Sequence, residues 1–169
     1  MVTKLDKEAE NVVQLLTERG LSIATAESCT GGLISAEITS VPGSSAVFGF
    51  GVCTYANEAK IRLLGVKEET LETVGAVSEE TAVQMAEGVR KLSGADIGVS
   101  VTGIAGPSGG TPEKPVGTVY IGISTETHAF AVRNLFTGRD FPEAGDIREA
   151  IRYETALKAL GLVIKEIKP

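Results

Sequence analysis

Ser28 stands between an apolar run over residues 21–26 and a turn of small residues, Thr30-Gly31-Gly32, that opens a helical pattern. The first amides of a helix have no partner inside it, and the dipole makes that end positive. A serine at such a place has two readings. It is a nucleophile with donors for a developing oxyanion beside it, or a cap for those amides. No Gly-x-Ser-x-Gly elbow surrounds it, which excludes an ordinary α/β-hydrolase nucleophile.

A nucleophilic serine needs a base. The single histidine, His128, lies beside a predicted hairpin turn and reads as a solvated strand residue. Lys60 is the other choice. It falls in the first turn of a helix that Asn57 can cap, where a cation meets the positive end of the dipole. Burial there would lower its pKa further. A neutral amine is what a Ser-Lys pair requires, although the same residue also reads as a solvated lysine. Tyr55, just before the turn, is placed to relay a proton or hold the serine hydroxyl, or is a half-buried strand residue.

Two further features suit an anionic or polar ligand. The run Thr102-Gly103-Ile104-Ala105-Gly106-Pro107-Ser108-Gly109-Gly110 follows an apolar segment, and its glycines let backbone amides approach a ligand closely. It lacks the Gly-Lys-Ser/Thr ending of a P-loop and the dinucleotide fingerprint, and an ordinary surface loop would look the same. Arg148 and Arg152 stand four apart on a predicted helix. Such a pair repels unless an anion sits between the two, and the forked donors match a phosphate or carboxylate. The alternative is a solvated face shared with Glu149 and Glu154.

The elements that must position these residues follow from periodicity and capping. Leu5, Ala9, Val12, Val13 and Leu16 recur at helical spacing and Gly20 stops them. Strands are predicted over 21–26, 47–56 and 97–101, and helices over 33–39, 57–64, 68–73 and from a Ser78 cap to Gly94. In that last helix Ala82, Val83, Met85, Ala86 and Val89 face inward. Residues 116–124 and 128–136 read as antiparallel neighbours, and a helix closes the chain over 146–165. Helices that alternate with strands and then give way to a strand pair predict a three-layer α/β/α domain on a mixed sheet. Ligands of open α/β sheets sit beyond the carboxyl ends of strands. The site is therefore expected where the turns after Ala26, Tyr55 and Val101 converge.

Composition narrows the function. With 169 residues, 43% apolar and 22% charged, the chain is predicted to be one globular domain. A net charge of -6 argues against a broad nucleic-acid footprint. Cys29 and Cys53 form no CxxC motif, and a single histidine excludes a histidine-rich zinc site. The first residues hold no apolar signal region and no run nears ~20 apolar residues. A cytoplasmic protein with no membrane partner is the expectation.

The motifs Thr25-Ala26-Glu27-Ser28-Cys29-Thr30-Gly31-Gly32, Thr54-Tyr55-Ala56-Asn57-Glu58-Ala59-Lys60, Gly75-Ala76-Val77-Ser78, Thr102-Gly103-Ile104-Ala105-Gly106-Pro107 and Lys114-Pro115-Val116-Gly117-Thr118-Val119 occur in this order. Over nearly the whole chain this resembles the CinA C-terminal domain family, the competence/damage-inducible protein relatives. The resemblance implies an α/β fold and nicotinamide mononucleotide (NMN) amidohydrolase activity, with Ser28 as nucleophile and Tyr55 and Lys60 as its activating partners. Glu27, Cys29, Thr30, Gly31, Gly32, Thr102, Gly103, Gly106, Arg148 and Arg152 are then expected to contact the substrate. No metal or organic cofactor is implied. A homo-oligomer is expected, as is the stand-alone form without the extra N-terminal domain of bipartite members. Other readings are an amidase for another nucleotide-like amide, or a non-catalytic nucleotide-sensing or adaptor module. One segment departs from the family pattern. The usual Phe-Pro-Gly-Asp-Arg before the last helix reads here as Phe141-Pro142-Glu143-Ala144-Gly145-Asp146-Ile147-Arg148, with extra residues ahead of the arginine.

Overall fold

Thr3 and Asp6 start the first helix by capping each other. The Thr3 hydroxyl accepts from the Asp6 amide, and the Asp6 carboxylate accepts from the Thr3 amide at 2.6 Å. A computed structural model, describing residues 3–139 and 141–168, shows this helix, α1 (Lys4–Arg19), ending at Gly20 with φ 64°. Only glycine takes up that left-handed turn without cost. The predicted stripe Leu5, Ala9, Val12, Val13 and Leu16 is buried throughout.

Five strands follow: β1 (Ile23–Glu27), β2 (Phe48–Cys53), β3 (Ile97–Gly103), β4 (Thr118–Ser124) and β5 (Ala129–Leu135). They lie in the order β2-β1-β3-β4-β5. β1 runs parallel to β2 and β3, β4 antiparallel to β3, and β5 antiparallel to β4. The other helices are α2 (Leu33–Ser40), α3 (Asn57–Leu64), α4 (Glu68–Thr73), α5 (Glu79–Ser93) and α6 (Ile147–Ile167). Alternation along β1 sorts them into layers. Ile23 joins a core with α1, α2 and α6, whereas Ala24 and Ala26 turn to the opposite face and pack with Leu64, Val66, Met85 and Val89. The result is the expected three-layer α/β/α domain on a mixed sheet. Among the described residues no helix is long and apolar enough to cross a membrane.

Element limits depart from the sequence reading where pairing decides them. β2 stops at Cys53 because its partner β1 ends opposite it, at Glu27. β3 runs on to Gly103 because Thr102 and Gly103 pair with Tyr120 and Val119 of β4. Val83 is half-buried rather than inward. Asn57 is the first helical residue of α3, and Ala56 stands at the cap position with no side-chain bond.

α5 approaches its neighbours closely through glycine. A Cβ on Gly88 would lie 2.0 Å from the Leu64 carbonyl oxygen at the end of α3, a backbone atom that cannot step aside. Gly161, inside α6, has nothing within 4 Å of the same position. Gly88→Ala should therefore destabilise by ~1–3 kcal/mol despite alanine's better helix propensity. Gly161→Ala should stabilise by ~0.5–1 kcal/mol. Thermal melts of the two variants check this, and equal shifts would contradict it.

Candidate active site

Three strand ends are stitched together at the carboxyl edge of the sheet. The Ser28 amide donates to the Val101 carbonyl at 3.0 Å, and the Thr54 amide donates to the Glu27 carbonyl at 2.9 Å. Ser28 thus leaves β1 between the ends of β2 and β3, where the sequence placed the site. Its Oγ lies 3.3 Å from Lys60 Nζ. Nζ also donates to the carbonyls of Thr54, at 2.8 Å, and Tyr55, at 3.1 Å.

As an ammonium, Nζ donates to both carbonyls and to Ser28 Oγ. On losing one proton it keeps two N–H bonds to the carbonyls and turns a lone pair to the serine hydroxyl. Lys60 is 1% exposed, and burial holds its pKa below the usual lysine value. The direction agrees with the sequence reading, and of its two causes burial is the one that acts. Lys60 is the fourth helical residue, and its amide already bonds the Ala56 carbonyl within the helix. Desolvation leads the shift. The neighbouring thiol is no rival nucleophile, because burial pushes the Cys29 pKa up to about 12.

Ser28 is not the cap of α2. Gly32 holds that position with φ 98° and has no side chain to offer. The cap is Glu27. Its carboxylate accepts from the amides of Gly32, Ile34 and Ser35 at 3.0, 3.1 and 2.8 Å, and from the Ser35 hydroxyl at 2.7 Å. The Gly31 amide is taken by the Ser28 carbonyl. The positive end of α2 is therefore satisfied from within, and the expectation that Glu27 and Gly32 contact a ligand there is corrected. Thr102 is corrected as well: it is 1% exposed, and its hydroxyl donates to the Ala76 carbonyl at 2.7 Å. Thr30 is fully buried, its hydroxyl without a partner, while Gly31 is exposed.

Tyr55 also differs from expectation. Its ring is 63% exposed, and its hydroxyl accepts from Arg148 at 3.1 Å. The group that touches Lys60 is its main-chain carbonyl, so no side-chain relay forms. The carbonyls at 54 and 55 were missed in the sequence, since residue identity says nothing about them. His128 lies at the opposite end of the sheet, where its Nε2 meets Glu166 at 3.1 Å.

A cavity of about 200 Å³ opens between Cys29, Tyr55, Gly103, Gly106, Ser108 and Arg148. Arg148 spans its mouth, donating to the Gly106 carbonyl at 2.8 Å as well as to Tyr55. Arg152 donates to the Thr30 carbonyl at 2.8 Å. Neither guanidinium has a carboxylate partner among the described residues.

The model of the CinA C-terminal domain matches residues 5–167. The chain belongs to the CinA C-terminal domain family. It is 52% identical over 160 residues to a CinA-like protein of Kosmotoga olearia, covering 95% of this chain and 37% of that protein. It is 50% identical over 163 residues to a CinA-like protein of Thermotoga maritima, covering 96% and 38%. The chain thus spans little more than a third of these curated relatives. Among solved structures it is similar to the competence/damage-inducible protein of Agrobacterium tumefaciens, with 42% identity, TM-score 0.89 and coverage of 96% and 95% of the two chains. A CinA superfamily protein of Klebsiella pneumoniae gives 33% identity, TM-score 0.88 and coverage of 96% and 97%.

The segment ahead of α6 is held by local bonds. The Gly145 amide donates to Glu149 at 2.7 Å, Asp146 caps α6 through the Glu149 amide at 2.8 Å, and Phe141 stacks on Tyr153 at 4.1 Å. From α6, Arg148 reaches the loop after β3 and Arg152 the turn after β1. Ser28, Lys60, the loop and both arginines are together in this CinA domain. Glu27, Gly32 and the Thr102 hydroxyl support it from behind.

Proposed function

We propose that this CinA-family domain is a Ser-Lys amidohydrolase acting on NMN, releasing ammonia and nicotinate mononucleotide. The observation that carries the reading is the buried Lys60 amine, held by two carbonyls and aimed at Ser28 Oγ. Ser28 Oγ attacks the carboxamide carbon while its proton passes to Lys60 Nζ. The C–N bond then breaks, and ammonia leaves with that proton, giving an ester on Ser28. A water molecule attacks the ester and gives its proton to Lys60. Ser28 departs with that proton, and the carboxylic acid ionises. A pyridine carboxamide is a weak electrophile, so amide donors over its oxygen matter; in known hydrolases one such donor is worth roughly 3–4 kcal/mol. Arg148 and Arg152, cationic and with no carboxylate partner among the described residues, suit the single phosphate of the substrate. Ammonia release on incubation with NMN tests the reading; none would overturn it and favour a sensing module.

The arginines give a separate prediction. Losing a charge-assisted bond costs about 1.5–3 kcal/mol. Arg148→Ala and Arg152→Ala should each raise KM for NMN by roughly 10–100-fold. The same changes should matter much less for nicotinamide riboside, which lacks the phosphate. Equal losses on both substrates would assign the arginines to holding the loop and turn instead.

A further inference from the structure

Two of the motifs, Gly75-Ala76-Val77-Ser78 and Lys114-Pro115-Val116-Gly117-Thr118-Val119, bond neither Ser28 nor Lys60 but are tied to each other. Three successive carbonyls in the turn between α4 and α5 are taken by side chains from three places. The Val74 carbonyl accepts from Lys114 Nζ at 2.9 Å. The Gly75 carbonyl accepts from the hydroxyls of Ser78 and Thr81 at 2.9 and 2.8 Å, and the Ala76 carbonyl from the Thr102 hydroxyl at 2.7 Å. The turn is thereby pinned to α5 and to the end of β3. The loop after β3 is a closed flap. Its base is joined where the Ile104 amide donates to the Thr118 carbonyl at 2.9 Å and the Gly117 amide to the Ile104 carbonyl at 2.8 Å. Its outgoing arm lies against Val116 of the returning arm. A Cβ on Gly106 would stand 2.5 Å from the Val116 side chain, and one on Gly110 2.6 Å from its amide nitrogen. At the tip the Thr111 amide donates to the Lys114 carbonyl at 2.9 Å and closes a tight turn. The two arms therefore move as one body, and what steadies the tip comes from outside it. Arg133 of β5 donates to the Glu113 carbonyl at 3.2 Å, and Lys114 holds Val74 from the other side.

We propose that Lys114 is a positioning residue: it fastens the flap to the pinned turn and so fixes the carbonyl that orients Arg148. That carbonyl, of Gly106, lies on the outgoing arm and accepts from Arg148 at 2.8 Å. A wall fastened before a ligand arrives holds the guanidinium across the cavity mouth, and the ordering cost is not met again on binding. The ammonium suits the task. The end of a helix leaves carbonyls without partners, and Val74 follows the last residue of α4. A lysine on a flexible stem can reach such an acceptor with a donor that is always available near neutral pH.

Amide exchange and kinetics test this together. In Lys114→Met, exchange over residues 104–110 should quicken roughly tenfold, because fewer bonds hold the flap, while the turn over 28–35 exchanges as in the wild type. The kinetic arm rests on the NMN reading. KM should rise roughly three- to tenfold with kcat within about twofold, the pattern of lost binding. Lys114→Arg, which keeps a cationic donor, should restore both KM and exchange. With Arg148→Ala already in place, Lys114→Met should change KM by less than about twofold, since one residue acts through the other. Unchanged exchange over 104–110 in Lys114→Met would overturn the proposal, whatever the substrate. So would a full KM effect in the Arg148→Ala background, or a Lys114→Arg variant that behaves like Lys114→Met. A wild type that releases no ammonia from NMN would sink the substrate reading instead, and the exchange result would still decide the role of Lys114.

Discussion

Ser28→Ala should lower ammonia release from NMN by at least ~10³-fold, a barrier increase of about 4 kcal/mol, while the protein stays folded. The loss is large because no other nucleophile is at hand. The Cys29 thiol is held neutral by burial, and Cys53 is pushed upward for the same reason. The fold survives because Ser28 is small and its hydroxyl has one partner, Lys60; a single hydrogen bond contributes about 1 kcal/mol. Glu27 still closes the turn without it. Steady-state rates beside thermal melts decide the matter. A variant within about tenfold of wild type, a change of only ~1.4 kcal/mol, would remove Ser28 from the chemistry.

Lys60 should show itself in rate and in stability. Its folded pKa lies below the usual 10.5. Between the two values the unfolded chain binds one more proton than the folded one, so wild-type stability rises with pH across that window. Below the folded value the cost is constant. Lys60→Met removes the ionisable group and with it the slope. The stability difference, wild type minus variant, should stay flat at low pH and then climb towards 10.5. Lys60→Arg retains a charge and cannot act as a base, so it should be as inactive as Lys60→Met. The wild-type rate should rise along a limb below ~10.4, the model lysine value. Denaturant melts and rate profiles over the same pH series test both claims. A flat difference up to 10.5 would show a lysine that titrates as if solvated.

Much of this was legible in the chain. Caps and glycines are local signals, so Gly20, Ser78 and Gly94 marked helix ends that the fold keeps. The convergence of three turns followed from the chain's strand order. What escaped depends on direction or partner. Nothing at position 55 tells whether the ring or the carbonyl enters the site. Lys60 was assigned a lowered pKa through a helix terminus and through burial; the terminus lies one turn away, and the depth behind Thr54 and Tyr55 that makes burial the cause is a tertiary fact. The role of Glu27 did leave a trace. A helix that opens on Gly-Gly has no side-chain acceptor of its own, and a carboxylate just upstream is the group that can supply one.

The two carbonyls that orient Lys60 belong to the main chain, and every amino acid carries that atom. The information that aims the base is therefore not written in the identities of residues 54 and 55. It resides in the number of residues between the end of β2 and Lys60, which fixes where the carbonyls fall. Side chains there can drift without turning the amine away from Ser28. One inserted or deleted residue between 54 and 60 would change the spacing and silence the pair, even with Ser28 and Lys60 both retained. In this turn length is the inherited trait, and an alignment scored on identity alone would overlook it.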